Sequence, residues 1–199
     1  MGLEIEYEKG QTPLSEEEME GLLIPSITTR EELDEFEQQN IQKAFEWYLH
    51  RRRFKADKIL TEEFIQGVHK RMLGDVWAWA GQLRMSEKTI GIPWHQIPVQ
   101  LRQLLDDCRH WVENKTFTEE EISIRFKHRL VAIHLFPNGN GRHSRLLGDI
   151  RMRQVFKKSI FSWGQKNLVD KGKTREAYIK ALKKGDLSEF QELMDFAQS

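Results

Sequence analysis

Apolar residues recur at helical spacing along most of the chain, and this pattern predicts a mainly helical protein. Clear examples run from Leu33 to Tyr48, from Leu101 to Val112 and from Ile122 to Ile133, where apolar side chains return every three or four residues. Hydroxyl residues followed by glutamates stand before several of these patterns and are typical helix N-caps: Ser15, Thr29, Thr61 and Thr118. The expected fold class is therefore all-α.

One stretch departs from this spacing, between Gly81 and Pro98. Its apolar residues no longer follow a helical period, and Gly91 and Pro93 are turn formers. The pattern predicts a short β-hairpin over residues 82–98, just before the helix from Pro98 to Val112.

The length and apolar content indicate one main domain. A chain of 199 residues with 39% apolar residues can bury one substantial core. Residues 1–28 are interpreted as an N-terminal arm followed by a short helix, and residues 29–199 as the domain. After the sequence Phe161-Ser-Trp-Gly, two short helices are expected, around 177–182 and 187–196.

Charge and cysteine content narrow the class of protein. Thirty-one basic residues balance thirty-one acidic ones, so no overall field draws the chain to nucleic acid or to an anionic membrane. A DNA-binding alternative rests on the basic runs 51–53 and 127–129, and the neutral net charge speaks against it. The single cysteine, Cys108, lies in an apolar helical series, and there is neither a signal sequence nor a run of eighteen apolar residues. These features predict a cytoplasmic protein that contacts neither membrane nor nucleic acid.

The most informative stretch runs from His134 to Arg145 and reads His-Leu-Phe-Pro-Asn-Gly-Asn-Gly-Arg-His-Ser-Arg. A helical pattern ends near His134, and Pro137 with the two glycines at 139 and 141 cannot continue it. Helical spacing resumes from Arg142. The sequence therefore predicts a helix, a tight loop and a second helix.

Such a loop has a definite chemistry. Glycine amides and the N-terminus of the second helix form a favourable site for an anion. Arg142 and Arg145 are three residues apart, so two guanidiniums would face successive phosphates. His134 would accept a proton at neutral pH. Each feature alone is more often structural, as a buried histidine, a turn or a solvated helix face, but together they indicate phosphoryl or nucleotidyl transfer.

The stretch resembles the signature of the Fic domain family, His-x-Phe-x-(Asp/Glu)-Gly-Asn-Gly-Arg-x-x-Arg, at eleven of its twelve places. Over nearly the whole chain the sequence also resembles the bacterial group called mobile mystery protein B. That likeness rests on Thr12-Pro-Leu-Ser, Ile24-Pro-Ser-Ile-Thr-Thr, Trp77-Ala-Trp-Ala-Gly, Phe126-Lys-His-Arg-Leu and the signature itself.

The resemblance implies a Fic fold and a protein adenylyltransferase that transfers AMP from ATP to a hydroxyl group of a target protein. His134 would be the general base and Phe136 a structural anchor. Gly139, Asn140 and Gly141 would form the anion cradle. Arg142 would hold the leaving phosphates and Arg145 the terminal one.

Asn138 departs from the signature, which has an acidic residue there. The resemblance implies that this position serves magnesium bound to the phosphates. An amide oxygen ligates magnesium without adding negative charge, so metal binding would depend more on the phosphates. Asn138 also supports an alternative function, a weakly active or inactive nucleotide-binding regulatory protein in a toxin–antitoxin-like pair.

The resemblance further implies regulation and partners. Fic proteins often carry an inhibitory helix whose glutamate pairs with the last arginine of the signature, here Arg145. Glu37, within the predicted helix 30–53, is the favoured candidate, and Glu20 before Gly21 is the other. The hairpin at 82–98 corresponds to the family's flap, along which an extended protein target would add as a strand. The mobile mystery likeness suggests a helix-turn-helix companion protein.

Overall fold

The computed structural model describes residues 13–164 and 171–199, and within them the chain is built almost entirely of helices. The helices are α1 (Glu16–Met19), α2 (Arg30–Glu46), α3 (Ala56–Ile59), α4 (Glu62–Leu73), α5 (Ile97–Asn114), α6 (Glu119–Ile133), α7 (Asn140–Ile150), α8 (Lys171–Asp186) and α9 (Gln191–Gln198). The all-α prediction is confirmed. Most of the arm predicted at the N-terminus lies outside the described residues.

The helix starts follow the predicted caps. Ser15 and Thr29 each form a complete capping box with the glutamate three residues later. The hydroxyls of Thr61 and Thr118 each accept a hydrogen bond from the backbone N–H three residues on. These contacts are local, so the sequence alone specifies them.

The main hydrophobic core lies where α2 packs on α4, and where α6 packs between α5 and α7. Trp77, which follows α4, is fully buried within this core. A short antiparallel bridge joins Leu22 to Trp77 and fastens the N-terminal segment to this core. No described helix is long and apolar enough to span a lipid bilayer.

A second, smaller core forms around the C-terminal helices. Residues of α8 and α9 pack against Ile124 of α6 and against Phe161 and Trp163. The two predicted C-terminal helices are therefore present, although α8 is longer than expected. The helix α6 contributes to both cores, so it connects the C-terminal helices to the loop that follows it.

Two helices end in a π-helical turn. The chain after α2 continues as a π turn over Trp47–Arg51, so the helix predicted for 30–53 changes geometry from Trp47 onward. The chain after α7 does the same over Arg151–Val155.

The hairpin predicted over 82–98 is wrong. Residues 82–93 contain no strand, Trp94–Gln96 form a 3-10 turn, and α5 begins at Ile97. The backbone N–H groups of Arg84 and Ile92 donate to the carbonyl oxygens of Leu135 and Ile133, at 2.9 and 3.4 Å. The segment therefore pairs with the chain around His134 and not with itself. We call residues 84–92 the covering segment.

Candidate active site

The candidate site lies in the loop between α6 and α7. The helix α6 ends at His134, whose backbone has a left-handed conformation with φ of 59°. Gly139 is also left-handed, with φ of 79°, and precedes the first residue of α7. Because these two positions reverse the chain direction, the N-terminus of α7 comes to lie beside the end of α6. The helix, loop and helix predicted from the sequence are confirmed.

The side chain of Asn140 fastens the loop. Its Oδ1 accepts from the backbone N–H of Phe136 at 3.0 Å, and its Nδ2 donates to the carbonyl oxygen of Phe136 at 2.8 Å. The predicted cradle role of Asn140 therefore rests on its backbone, because the side chain is used within the protein.

Below the loop, Phe136 is fully buried between two histidines, which supports its predicted role as an anchor. The ring of His69 stacks on Phe136 at 3.7 Å, and the ring of His143 meets it edge-on at 5.0 Å. Burial lowers the pKa of His143 to about 4 and that of His69 well below its ordinary value, so both rings are neutral at pH 7.

The hydrogen bonds of His69 define its tautomer. The N–H of Gly81 donates to Nδ1 at 3.0 Å, so Nε2 carries the proton and donates to the carbonyl oxygen of Asn138, also at 3.0 Å. His69 thus orients the middle of the loop. Sequence reasoning did not identify this contact, because its partners lie 12 and 69 residues away from His69.

The first turn of α7 contains the residues of the predicted anion cradle. The backbone N–H groups of Asn140, Gly141 and Arg142 lie in the turn where no carbonyl of the same helix is in reach. A Cβ added to Gly139 would come within 2.8 Å of Leu73, but a Cβ added to Gly141 would meet nothing within 4 Å. The space beside Gly141 is therefore open to an anion, whereas Gly139 is required by the packing.

His134 lies at the other side of the loop and is only 4% exposed. Burial, and to a lesser extent the nearby charge of Arg84, lowers its pKa to about 4. Its imidazole is therefore neutral at pH 7 and able to accept a proton. Gly91 of the covering segment packs so closely on His134 that an added Cβ would lie 2.5 Å from the histidine Cβ.

Arg84 holds the covering segment in place. Its guanidinium is buried and donates to the backbone carbonyl oxygens of His134 and Ser86, both at 2.7 Å, and to that of Ile92. Sequence reasoning missed Arg84, since a single arginine in an irregular segment carries no recognisable signal. Its three acceptors become neighbours only through the tertiary fold.

Arg142 is engaged by the predicted regulatory residue. Its Nη1 lies 2.6 Å from Oε2 of Glu37, which is buried on α2. The other carboxylate oxygen of Glu37 accepts from the indole N–H of Trp77 at 2.7 Å. The expectation that Glu37 pairs with Arg145 is wrong, because the packing of α2 aims this carboxylate at the first arginine of the signature.

Arg145 points toward the C-terminal helices. Its guanidinium carbon lies 4.9 Å from the ring centroid of Tyr178 on α8. The buried Lys127 donates to the Tyr178 hydroxyl, and burial, with a smaller contribution from the charge of Arg145, lowers the pKa of Lys127. The two arginines, predicted to share one face, thus contact different elements.

The described residues do not form a metal site of their own. No group of three or more acidic, histidine or cysteine side chains in these parts of the chain is arranged to hold a metal ion. The Oδ1 of Asn138, the predicted magnesium ligand, accepts from the N–H of Gly139. The protein side chains thus do not fit a magnesium site independent of a bound phosphate.

The fold and site together define a helical protein with a glycine-containing loop between two helices and a neutral histidine at the edge of that loop. Residues 59–150 match the model of the Fic/DOC family. No curated protein matches the sequence significantly. The narrower likeness to mobile mystery protein B stays a prediction.

Solved structures have the same fold. Fic-1 from C. elegans is similar at 21% identity and a TM-score of 0.64, over 90% of this chain and 51% of that one. The chain therefore spans about half the length of the Fic-1 chain. BepC from Bartonella tribocorum, solved with bound AMPPNP, is similar at 18% identity and a TM-score of 0.64, over 92% and 97% of the two chains. A Fic domain from Bartonella quintana with bound ADP is similar at 15% identity and a TM-score of 0.64, over 87% and 86%.

Proposed function

We propose that the protein is an adenylyltransferase that transfers AMP from ATP to a hydroxyl side chain of a target protein. The observation that carries this proposal is the neutral imidazole of His134 on the same loop as the cradle of α7 amides. The match to the Fic/DOC family model adds support, as do the AMPPNP and ADP bound in the two similar Bartonella structures.

In the proposed reaction the target hydroxyl oxygen attacks the α-phosphorus of ATP. The new bond joins that oxygen to phosphorus, the bond between the α-phosphorus and its bridging oxygen breaks, and pyrophosphate leaves. The hydroxyl proton passes to the neutral His134 ring. The N–H groups at the start of α7 stabilise the added negative charge of the phosphates.

Arg142 and Arg145 are proposed to hold the phosphates beyond the α-phosphate. Arg142 meets them only after it leaves Glu37, so the ion pair at 2.6 Å would oppose ATP binding. This contact supports autoinhibition by Glu37 through Arg142. Magnesium, if used, would be held mainly by the phosphates, with Asn138 adding at most an amide oxygen.

The protein target is proposed to dock along the covering segment and the start of α5. Large apolar side chains are exposed there, with Met85 78% and Val99 63% exposed, and Ile90 and Trp94 also partly exposed. Addition of a strand is disfavoured, because the N–H groups of Arg84 and Ile92 are already bonded to the chain around His134. The target would therefore be recognised through its apolar side chains.

A second candidate function is a nucleotide-binding regulatory protein with weak transfer or none, acting in a toxin–antitoxin-like pair with a helix-turn-helix companion. Two observations favour it. Asn138 brings no carboxylate, and Glu37 occupies Arg142. Calorimetry that finds tight ATP binding, with no transfer at any magnesium concentration, would support this alternative.

The test is incubation of the full chain with ATP labelled at the α-phosphate or at the γ-phosphate, followed by intact-mass measurement. We expect label from the α-phosphate only, and its loss in His134→Ala. His110→Ala, which changes an exposed histidine near the end of α5, away from the proposed docking surface, is the matched control and should keep the label. Equal labelling of the wild type and His134→Ala would refute the role proposed for His134.

A further inference from the structure

The two π-helical turns within residues 13–164 and 171–199 lie next to each other. In each turn the closing bond spans five residues, from the Arg52 N–H to the Trp47 carbonyl at 3.0 Å and from the Phe156 N–H to the Arg151 carbonyl at 3.1 Å. The buried amide of Gln154 joins the turns, donating to the carbonyl oxygens of Tyr48 and Arg52 at 2.9 and 3.0 Å. Single π turns are rare in proteins and frequent at functional sites.

Between the two turns lies a cavity of about 250 Å³. Most of its lining side chains are basic, and no carboxylate is among them. The lining consists of Leu49, His50, Arg52, Arg53, Arg153, Gln154 and Lys157. We call this cavity the basic pocket.

The cations of the basic pocket have no acidic partners in the described parts of the chain. Arg52, Arg53, Arg153 and Lys157 form no ion pair there, whereas the neighbouring Arg51 lies 3.5 Å from Glu46. The whole chain carries equal numbers of acidic and basic residues, so this excess is local. Like charges brought together repel each other, and a bound anion would remove that repulsion.

The basic pocket is separate from the candidate active site. The cradle lies at the N-terminus of α7, and the basic pocket follows its C-terminus. Since α7 has eleven residues, the two sites are roughly 16 Å apart along the helix axis. Arg142 and Arg145 do not line the basic pocket.

We propose that the basic pocket binds a compact anion that carries several phosphate groups. The cavity is smaller than the about 300 to 1,000 Å³ of pockets that enclose whole drug-sized ligands. Its size thus suits an oligophosphate, or the phosphate tail of a larger molecule. Arginine side chains are well matched to such groups, because a guanidinium donates to two phosphate oxygens at once.

The grouping of the cations around one small cavity distinguishes this proposal from a nucleic-acid surface. Binding along a nucleic-acid backbone requires basic side chains spread over successive phosphates, and it benefits from a net positive field. Here the cations line one cavity and the chain is neutral overall. Of the three consecutive arginines, Arg52 and Arg53 line the basic pocket and Arg51 does not.

The test is calorimetric titration of inorganic triphosphate into the full chain carrying Arg142→Ala, which weakens phosphate binding at the active site. We expect one equivalent to bind. Replacing Arg53 and Arg153 together by glutamate should weaken this binding by tenfold or more, since two guanidinium donors are lost and two carboxylates that repel the anion take their place. Arg51→Glu, a matched reversal of an exposed arginine outside the basic pocket, should change it by less than about twofold.

Titrations with different phosphate compounds show which kind of molecule occupies the basic pocket. ATP that binds as tightly as triphosphate, with the same dependence on Arg53 and Arg153, would identify a nucleotide tail as the occupant. Binding of triphosphate alone would identify a free oligophosphate. A DNA duplex that binds more tightly than triphosphate through the same arginines would overturn the proposal in favour of a nucleic-acid surface. Absence of triphosphate binding, or binding indifferent to the double replacement, would also overturn it.

Discussion

Gly139 and Gly141 lie in the same loop, but glycine is needed at the two positions for different physical reasons. Gly139 combines a left-handed backbone with close contacts to Leu73 and His69, whereas Gly141 is helical and borders open space. One position therefore serves folding, and the other leaves room for a ligand. This difference can be measured without knowing the target protein.

We expect Gly139→Ala to lower the free energy of unfolding by about 1 to 3 kcal/mol, because the added methyl group clashes and the backbone becomes strained.

Gly141→Ala should leave the free energy of unfolding unchanged or slightly higher, since alanine favours a helix. It should nevertheless weaken ATP binding by roughly tenfold, a cost of about 1.4 kcal/mol. Denaturation and calorimetry on the same two proteins check both statements. Unchanged ATP affinity in Gly141→Ala would argue against the cradle.

At the scale of elements, Asp149 on α7 connects the candidate active site to the C-terminal core. Its Oδ1 accepts from the Phe161 N–H at 3.1 Å, and the Trp163 indole donates to both carboxylate oxygens at 3.0 and 2.9 Å. Burial raises its pKa from 3.8 to about 7, although the two donors and Arg145 act in the opposite direction.

This raised pKa predicts a dependence of stability on pH. The folded state holds the Asp149 proton more tightly than the unfolded state, so the contribution of Asp149 to stability is complete below about pH 4 and is lost as the pH rises through about 7. Asp149→Asn keeps an acceptor oxygen but does not ionise. Its stability relative to the wild type should rise between pH 4 and pH 7, by roughly 4 kcal/mol at most.

Urea denaturation at several pH values measures this difference. Asp195→Asn, at an exposed position of α9, is the matched control and should run parallel to the wild type. A constant difference between Asp149→Asn and the wild type across this range would contradict the raised pKa.

The elements also show how far the sequence determines the structure. The caps at Ser15 and Thr29, and the turn at Gly139, depend on residues close in sequence, and all three were predicted correctly. The hairpin was wrong because Arg84 and Ile92 bond to residues about fifty and forty positions away. Periodicity within a short window contains no information about such partners.

The candidate site was predicted to a similar extent. The sequence predicted that His134, Phe136 and the residues of the proposed cradle lie on one loop between two helices, and the structure has that loop. It did not reveal that Arg142 and Arg145 turn to different helices, because their directions depend on how α2 and α8 pack. Nor did it indicate the π turns, which have no recognisable spacing of their own.

At the scale of the whole molecule, α2 reaches the active-site loop through a single carboxylate. Glu37 joins α2 both to Arg142 on α7 and to Trp77 after α4. ATP binding would have to compete with this pair, so a change on α2 is expected to alter affinity at a loop about one hundred residues later.

We expect Glu37→Gln to strengthen ATP binding by roughly tenfold and to raise self-modification, since the amide still accepts from Trp77 but no longer attracts Arg142 as a charge. Glu37→Gly should act in the same direction with some loss of helix stability. Calorimetry with ATP and intact-mass measurement check the two effects separately. The control is Glu35→Gln, an exposed glutamate on the same helix. Equal ATP affinity of Glu37→Gln and the wild type would remove Glu37 as a regulator.

Arg84 has a consequence for the order of events at the imidazole. One guanidinium binds both the carbonyl oxygen of His134 and the covering segment, whose Gly91 packs on the Cβ of this histidine. A target protein that displaces this segment also breaks the hydrogen bond from Arg84 to the His134 carbonyl oxygen. The imidazole therefore becomes exposed and free to reorient in the same step. A protein that does not displace the segment leaves the imidazole both buried and fixed.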